Sequence, residues 1–229
     1  MGRSNTLDVT GLLKSVSYFS HLDAAGLELV ARSAVRHSYD AGQVILIEGE
    51  PCTGLYIVES GWLKVVKIGL DGREQVLQML RAGEVFNAIS VFTDAPNQAT
   101  VSALEESLVW IIRREVLLKL IEEQPALSRQ VIQDLAGRVI HLVRLVEDLS
   151  LRSVEARLAR LLLEQAQGAS VQRRRWATQA EMAARLGTVP DVVNRALRKL
   201  SEAGLIHVER HQIQILDQEG LKRIAQIVE

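Results

Sequence analysis

The stretch TQAEMAARLGTVPDVVNRALRKLSEAGLI, residues 178–206, decides the fold of the C-terminal part of the chain. Thr178 and Glu181 have the spacing of a capping box, in which a hydroxyl and a carboxylate satisfy free amide groups at a helix start. Gly187 is expected to end this helix in the left-handed conformation, which glycine adopts without steric cost. A second helix begins within three residues. Two helices joined by a short glycine turn predict a helix-turn-helix.

The next stretch, GLIHVERHQIQILD at residues 204–217, alternates between apolar and polar residues and predicts a β-hairpin. Asp217 can then cap a final helix that runs to Val228. A hairpin at this place is a wing, so the capping box, the glycine turn and the hairpin together favour a winged DNA-binding domain. Ordinary packing of three helices without DNA contact is the alternative.

The second helix of this motif turns its polar residues outward, because Val193 and Leu197 face inward. Its early turns are expected to reach base edges and its later basic residues to reach phosphates. Arg195 can pair with guanine and Asn194 with adenine, while Asp191 can accept from cytosine. The predicted DNA contacts are Thr178, Gln179, Thr188, Asp191, Val192, Asn194, Arg195, Arg198 and Lys199, joined by Arg173 and Arg174 of the basic run QRRRW. A solvated loop is the alternative for that basic run.

Pro190 stands where such a helix first meets DNA. Proline fits the first helical position, since its φ is suitable and no needed donor is lost. Val189 cannot cap the helix, so Thr188 is the expected cap. The helix dipole favours the negative charge of Asp191 in the first turn. Specificity is therefore expected to depend on Asp191 and the residues one turn later.

The N-terminal part changes its hydrophobic period at about Tyr39. Residues 7–36 have helical spacing, whereas seven short apolar runs between positions 43 and 112 are typical of strands. Asp71 and Gly72 separate two of these runs and indicate a hairpin, since both residues tolerate positive φ. Short strands at this spacing predict a sandwich or barrel. The predicted fold class is α+β: an N-terminal double-stranded β-helix of the jelly-roll type, a long helix and a winged helix-turn-helix.

One long helix is predicted over residues 125–150, with Pro125 in its first turn. Six apolar residues along it are three and four positions apart, which is the a/d pattern of a coiled-coil seam. They are Ile132, Leu135, Val139, Leu142, Val146 and Leu149. The residues Val131, Val143 and Leu145 lie off this seam and add a second apolar face. We predict that the seam forms a dimer interface and that the second face covers the β-domain; a core helix of one subunit is the alternative.

Charge and cysteine content narrow the functional classes. Residues 1–150 carry 14 Lys and Arg against 19 Asp and Glu, a net −5, and residues 151–229 carry 13 against 9, a net +4. Only the basic C-terminal part is therefore expected to meet a polyanion. The single cysteine, Cys52, excludes an internal disulfide and an iron–sulfur site built from several cysteines. No apolar run is long enough to span a bilayer and no signal core is present, so a cytoplasmic protein is expected.

No catalytic motif occurs in the chain. A G-x-S-x-G elbow, a P-loop, a CxxC pair and an HExxH motif are all absent. The adjacent carboxylates Glu105 and Glu106 diverge instead of converging on one substrate. The sequence therefore predicts that the protein is not an enzyme.

Three blocks, in this order, resemble the Crp/Fnr family of transcription regulators. GEPCTGLYIVESGWLKVVK, followed by DGREQVLQMLRAGEVF, resembles the β-roll effector domain. LSLRSVEARLARLLLEQA resembles the end of the dimerisation helix, and residues 178–206 resemble the helix-turn-helix. The resemblance implies a homodimer that binds a palindromic DNA site, is gated by an effector and has RNA polymerase as a further partner. The implied domains are 1–124 (effector-sensing), 125–150 (dimerisation) and 151–229 (DNA-binding), with a hinge near Leu149–Ser153.

The chain departs from the nucleotide-binding members of this family. Those members carry a Gly-Glu pair, whose glutamate holds the ribose, and then an Arg-Ser or Arg-Thr pair, whose arginine holds the cyclic phosphate; they also place hydroxyls on the long helix. Here the first pair is Asn87 and Ala88, the second is Asn97 and Gln98, and the helix positions are Leu142 and Val143. No cation is left there for a phosphate. Cyclic AMP is therefore not the expected effector.

The remaining pocket is predicted to be apolar. Its predicted lining is Phe86, Asn87, Ala88, Ile89, Phe92, Asn97, Gln98, Leu142 and Val143, with Val91 and Leu145 beside them. This lining suits an apolar ligand such as haem, for which His141, ahead of His21 and His37, is the candidate axial ligand. No other metal site is expected. The alternatives are a constitutive regulator with no effector and a β-roll protein that acts through protein–protein contacts.

Cys52 lies in the loop EGEPCTG between β-rich runs. The like charges of Glu48 and Glu50 are expected to raise the pKa of its thiol, which disfavours a reactive thiolate. A structural role is therefore predicted over a redox sensor.

Overall fold

The computed structural model describes residues 3–166, 168–172, 174 and 177–226, with side chains from Val9 onward. The chain divides into two compact units. The first contains the chain up to Lys67 and Leu77–His141, and the second contains Ile68–Val76 and the chain from Leu142. No helix within these described ranges is both long and apolar enough to cross a membrane.

The first unit begins with two helices, α1 (Arg3–Ser15) and α2 (Ala24–Ser33). Asp23 caps α2 by accepting a hydrogen bond from the amide of Gly26 at 2.7 Å. Both helices place apolar side chains in the core of the unit. The helical spacing near the N-terminus is therefore confirmed for these two segments.

Two four-stranded sheets follow α2 and form the β-roll. The strands are β1 (Val35–Tyr39), β2 (Val44–Leu46), β3 (Gly54–Ser60), β4 (Trp62–Ile68), β5 (Glu74–Arg81), β6 (Val85–Phe86), β7 (Thr100–Ala103) and β8 (Ser107–Arg113). Their orders are β1-β8-β3-β6 and β2-β7-β4-β5. The seven predicted runs all form strands, and the predicted hairpin at Gly72 has the positive φ it needs, +77°. The α+β fold class is confirmed.

Two elements of the β-roll have no clear signal in the sequence. Strand β1 pairs with β8 but keeps most of its side chains exposed, so it lacks apolar alternation. Helix α3 (Ala88–Thr93) has only six residues, too few for a helical period to be read. It begins after Asn87, whose φ of 67° is in the left-handed region and uncommon outside glycine.

Helices α4 (Arg114–Glu123) and α5 (Pro125–Leu151) follow the β-roll. Six apolar side chains of α5 are between 39% and 66% exposed. They are Ile132, Val139, Ile140, Leu142, Val143 and Val146. The seam thus includes Val143, which the sequence pattern places off it, while Leu135 and Leu149 are half-buried. An exposed apolar stripe of this length is typical of a surface that a partner covers.

Polar contacts hold α5 on the first unit. The hydroxyl of Tyr18 donates to Oδ2 of Asp134 at 2.6 Å, and Nε of Arg138 donates to the same oxygen at 2.6 Å. Arg138 also donates from Nη2 to the carbonyl oxygen of Val85 at 2.6 Å. Burial and the bond to Asp134 raise the pKa of Tyr18 well above its usual value. The phenol therefore stays protonated and remains a donor.

Gly137 lies inside α5, where a glycine is about 1 kcal/mol less favourable than an alanine. Among the described residues, a Cβ added there has no neighbouring atom within 4 Å. We expect Gly137→Ala to raise the free energy of unfolding by about 1 kcal/mol, measured by urea denaturation at fixed protein concentration. A variant less stable than the unchanged protein would show that a second chain packs closely against this glycine.

The second unit contains a winged helix domain. Its elements are α6 (Val154–Gln165), β9 (Ser170–Gln172), α7 (Gln179–Leu186), α8 (Pro190–Glu202), β10 (Ile206–Val208), β11 (Gln212–Ile215) and α9 (Gln218–Ala225). The predicted wing is confirmed as β10 and β11, and β9 joins it as a third strand. Asp217 caps α9 as predicted, and the expected extension of that helix to Val228 lies outside the described residues.

The junction between α5 and α6 carries several side-chain contacts. Ser153 caps α6 by accepting from the amide of Ala156 at 3.2 Å. Arg152 forms an ion pair with Asp148 at 2.9 Å and donates to the carbonyl oxygen of Ala225 at 2.6 Å. This segment, for which the sequence predicts a hinge, is therefore tied to the end of α5 and to the end of α9.

Candidate DNA-binding and effector sites

Helix α7 begins and ends as its sequence predicts. Oγ1 of Thr178 accepts from the amide of Glu181 at 3.2 Å, which is the hydroxyl half of the capping box. The side chain of Glu181 is buried, with 8% exposure. Gly187 ends the helix with a φ of +63°. In the structure, Thr178 therefore caps helix α7. Its contact with DNA stays a prediction.

Helix α8 begins at Pro190 without a side-chain cap. Val189 is the N-cap residue, and its carbonyl oxygen accepts from the amide of Val192 at 3.0 Å. The expectation that Thr188 caps this helix is wrong, because Val189 occupies the N-cap position and the amide of Thr188 bonds to the carbonyl oxygen of Ala183. Proline has no amide hydrogen, so one fewer group at this helix start needs a cap.

The buried stripe of α8 decides which residues face outward. The stripe is Val193, Ala196, Leu197 and Leu200. The predicted reading residues lie off it: Asp191, Arg195 and Arg198 are exposed, and Val192 and Asn194 are half-buried. An acceptor, an amide and a guanidinium are thus presented together on one helix face. This is the combination of groups that reads base edges in a major groove.

The remaining predicted DNA contacts are spread over the neighbouring segments. Gln179 is exposed in the first turn of α7, and Thr188 is half-buried in the turn before α8. Arg174 is exposed between β9 and α7. Arg173 lies outside the described residues. These contacts stay predictions.

Lys199 has a partner within its own domain. Its Nζ donates to Oε1 of Glu155 at 2.7 Å, which joins the last turns of α8 to the first turn of α6. The hydrogen bond from Lys199 holds the pKa of Glu155 below its usual value. A contact between Lys199 and a DNA phosphate would have to break this ion pair.

The two neighbouring cations of α8 should therefore differ in their salt dependence. Arg198→Ala is expected to lower the slope of log K against log salt concentration by about 0.9 for each lost phosphate contact. Lys199→Ala is expected to change that slope by less than about 0.3, because its charge is already paired with Glu155. Fluorescence anisotropy titrations at several salt concentrations measure both slopes. Equal changes for the two variants would show that Lys199 contacts DNA.

The wing exposes two further polar residues at its tip, Arg210 and His211. The carboxylate of Glu209 accepts from the side-chain amides of Gln212 at 2.8 Å and Gln214 at 2.7 Å. These bonds cross the hairpin and hold its tip in one conformation.

The candidate effector site contains a network of side-chain amides. Nδ2 of Asn87 lies 3.1 Å from Oδ1 of Asn97, 3.1 Å from the carbonyl oxygen of Gly54 and 3.4 Å from Sγ of Cys52. Nδ2 of Asn97 donates to the carbonyl oxygen of Ile47 at 3.2 Å. The two motif positions identified in the sequence are therefore in direct contact.

A cation does stand beside this site, which the motif positions alone do not reveal. Arg114, at the start of α4, donates from Nε to the carbonyl oxygen of Val91 at 2.8 Å and forms an ion pair with Asp94 at 3.1 Å. The motif positions do not reveal Arg114, because this residue lies on another element, some twenty residues further along the chain. The charge of Arg114 is compensated by the carboxylate of Asp94. The structure therefore adds a cation beside the site, but this cation is already paired.

The predicted pocket lining separates into buried and exposed residues. Phe86, Ala88 and Val91 are buried. Ile89, Gln98, Leu142 and Val143 are exposed, and Phe92 and Leu145 are half-buried. Phe86 stacks on Tyr56 with ring centroids 4.9 Å apart. The buried members of the set belong to the core of the β-roll, and the exposed members stay predictions.

The three histidines predicted as candidate haem ligands have different surroundings in the structure. Nε2 of His141 lies 2.9 Å from the carbonyl oxygen of Leu77, and it must carry the hydrogen because a carbonyl only accepts. His21 and His37 are exposed. In this tautomer Nδ1 is the unprotonated nitrogen, which is the kind of atom that an axial ligand needs. His141 joins α5 to β5, and its role as a haem ligand stays a prediction.

Cys52 has the raised pKa that its sequence predicts, but for another reason. Burial of the thiol is the main cause, and the nearby Arg114 opposes it. The glutamates of the loop are not among the causes. The structural role of Cys52 stays a prediction.

Two family models match the chain in the order of its two units. A model of the cyclic nucleotide-binding domain matches residues 36–124. A model of the Crp-like helix-turn-helix domain matches residues 156–224. Together they cover the β-roll and the winged helix.

Known proteins are similar over nearly the whole chain. The CRP-like cAMP-activated global transcriptional regulator of Mycobacterium tuberculosis is 27% identical over 220 residues, which is 93% of this chain and 98% of that protein. The cyclic AMP receptor protein of Thermus thermophilus is 27% identical over 216 residues, with the same coverage. A Crp/Fnr-family regulator of Eubacterium rectale has a similar fold, with a TM-score of 0.77, 23% identity and coverage of 93% of this chain and 100% of that one. The chain therefore belongs to the Crp/Fnr family of DNA-binding transcription regulators and is not an enzyme.

Proposed function

We propose that the chain acts as a homodimer in the cytoplasm and binds a palindromic DNA operator through α8. The observation that carries the proposal is the outward face of α8, where Asp191, Asn194 and Arg195 lie together on a helix whose other face is buried. A two-fold dimer would present this face twice, which matches a palindrome of two half-sites about one helical turn or more apart. RNA polymerase is the further partner that this function implies.

The exposed stripe of α5 supports the dimer. Ile132, Val139 and Val146 are each about 60% exposed in one chain, and they repeat at the spacing of a coiled-coil seam. A second copy of the same helix would cover this stripe in a symmetric contact.

Cyclic AMP is not proposed as the effector, although the names of two relatives refer to cyclic AMP. A cyclic phosphate needs a cation, and Arg114, which lies beside this site, is already paired with Asp94. The β-roll therefore has either a ligand of a different class or no ligand.

Selection of DNA from a random library by the purified protein tests the function. A palindromic consensus is expected, with two protein chains per DNA duplex by light scattering. A β-roll protein that acts through protein–protein contacts is the alternative. It would yield no consensus and would bind DNA weakly and equally for all sequences.

A further inference from the structure

We infer that Asn87 and Asn97 form a clasp that closes the effector site from within, so that the regulator binds DNA without a small-molecule effector. The clasp is a property of the β-roll alone. Only its consequence for DNA rests on the proposed function.

The clasp joins the two positions that would otherwise lie on either side of a ligand. Nδ2 of Asn87 is 3.1 Å from Oδ1 of Asn97 and 3.1 Å from the carbonyl oxygen of Gly54. Each distance is a normal hydrogen bond, so no atom fits between these groups. A ligand could enter between the two asparagines only by breaking both bonds.

Asn97 has a partner for every polar group. Its side chain accepts from Asn87 and donates to the carbonyl oxygen of Ile47, and its residue exposure is 3%. Its backbone amide donates to Glu50 and its carbonyl oxygen accepts from Gly49, both at 2.8 Å. A buried amide that is fully satisfied is costly to open, since any broken bond leaves a group without a partner in a poorly solvated place.

The rest of the segment is held by separate bonds. Oγ of Ser90 donates to the carbonyl oxygen of Pro96 at 3.0 Å. Arg114 bonds to the carbonyl oxygen of Val91 and pairs with Asp94, as described above. Helix α3 and the loop after it are thus attached to β3, to the loop before β3 and to α4 by the chain's own groups. A ligand is not needed to order this segment.

Asparagine suits position 87 for two reasons. Its φ of 67° is left-handed, and asparagine tolerates that region better than most residues other than glycine. It also carries the amide that reaches Gly54 and Asn97, which glycine lacks. Replacement by glycine therefore removes the clasp while it leaves the backbone conformation accessible.

Hydrogen exchange of the amides of Ala88–Thr93 tests the clasp directly. Asn87→Gly is expected to speed their exchange about ten-fold, the effect of removing one or two net hydrogen bonds. Gln133→Ala is the control, because Gln133 is an exposed side-chain amide on α5, and its removal should leave exchange unchanged. If Asn87→Gly does not fold, Asn87→Asp gives the same comparison, since aspartate keeps the shape but cannot donate.

The consequence is tested on the unchanged protein with three probes: cyclic AMP, cyclic GMP and cyclic di-GMP. We expect operator affinity to change by less than about two-fold and exchange of Ala88–Thr93 to stay constant. Protection of these amides by any probe, or unchanged exchange in the asparagine variants, would overturn the clasp. Faster exchange in Asn87→Gly together with no DNA selectivity in the unchanged protein would support the clasp and overturn the proposed function.

Discussion

Replacing Arg195 by alanine is expected to abolish the preference of the protein for its operator over unrelated DNA. Arg195 is exposed on the reading face of α8, one turn after Asp191. A bidentate contact between arginine and guanine contributes about 1–3 kcal/mol of discrimination. A dimer loses this contact in both half-sites. The free-energy difference between binding to the operator and binding to unrelated DNA should therefore shrink by about 2–6 kcal/mol.

The matched control is Arg198→Ala, which removes the same charge from the same exposed face. Because a phosphate contact carries no sequence information, this variant should weaken binding to the operator and binding to unrelated DNA to the same degree. For each variant, the ratio of the dissociation constants for unrelated DNA and operator is measured at one fixed salt concentration. An unchanged preference in Arg195→Ala would contradict docking through this face of α8.

The second large effect is expected from Val139→Glu, which places a charge in the exposed stripe of α5. Val139 is 59% exposed in one chain, so the folded subunit should tolerate the change. In a symmetric dimer two glutamates would face each other in an apolar contact, at a cost of about 3–5 kcal/mol or more. We expect monomers by sedimentation at micromolar concentration and loss of operator binding, with an unfolding midpoint that no longer depends on protein concentration.

Gln133→Glu serves as the control for this variant. Gln133 is exposed on the same helix and lies roughly 100° around it from Ile132. It should leave the dimer intact. If Val139→Glu stays dimeric, the seam is not the interface, and the exposed stripe of α5 needs another partner.

The winged helix was predictable because its signals are local. Thr178, Gly187 and Asp217 each act within three or four residues of their partners, and the structure shows each one at its predicted helix end. The order of strands in the β-roll was less accessible. Strand β1 bonds to β8, more than seventy residues later, and its exposed side chains carry no apolar pattern.

The effector site shows the limit of motif reasoning. The sequence shows Asn87 and Asn97 where nucleotide-binding members carry other residues. It therefore predicts that the glutamate for the ribose and the arginine for the cyclic phosphate are missing. It cannot show that their amides bond to each other or that Arg114 approaches from α4, because these contacts depend on where three separate elements meet. The predicted cause of the raised pKa of the Cys52 thiol is wrong for the same reason, since burial is a property of the folded chain.

Sequence alone therefore determined the family, the two kinds of fold and the outward face of α8, because caps, turns and apolar periods are encoded by neighbouring residues. Tertiary structure alone decided that Lys199 is paired with Glu155, that the stripe of α5 includes Val143, and that an asparagine clasp joins α3 to the β-roll. Those features join residues that are far apart in the chain, and only the packing of the elements sets the distances between them.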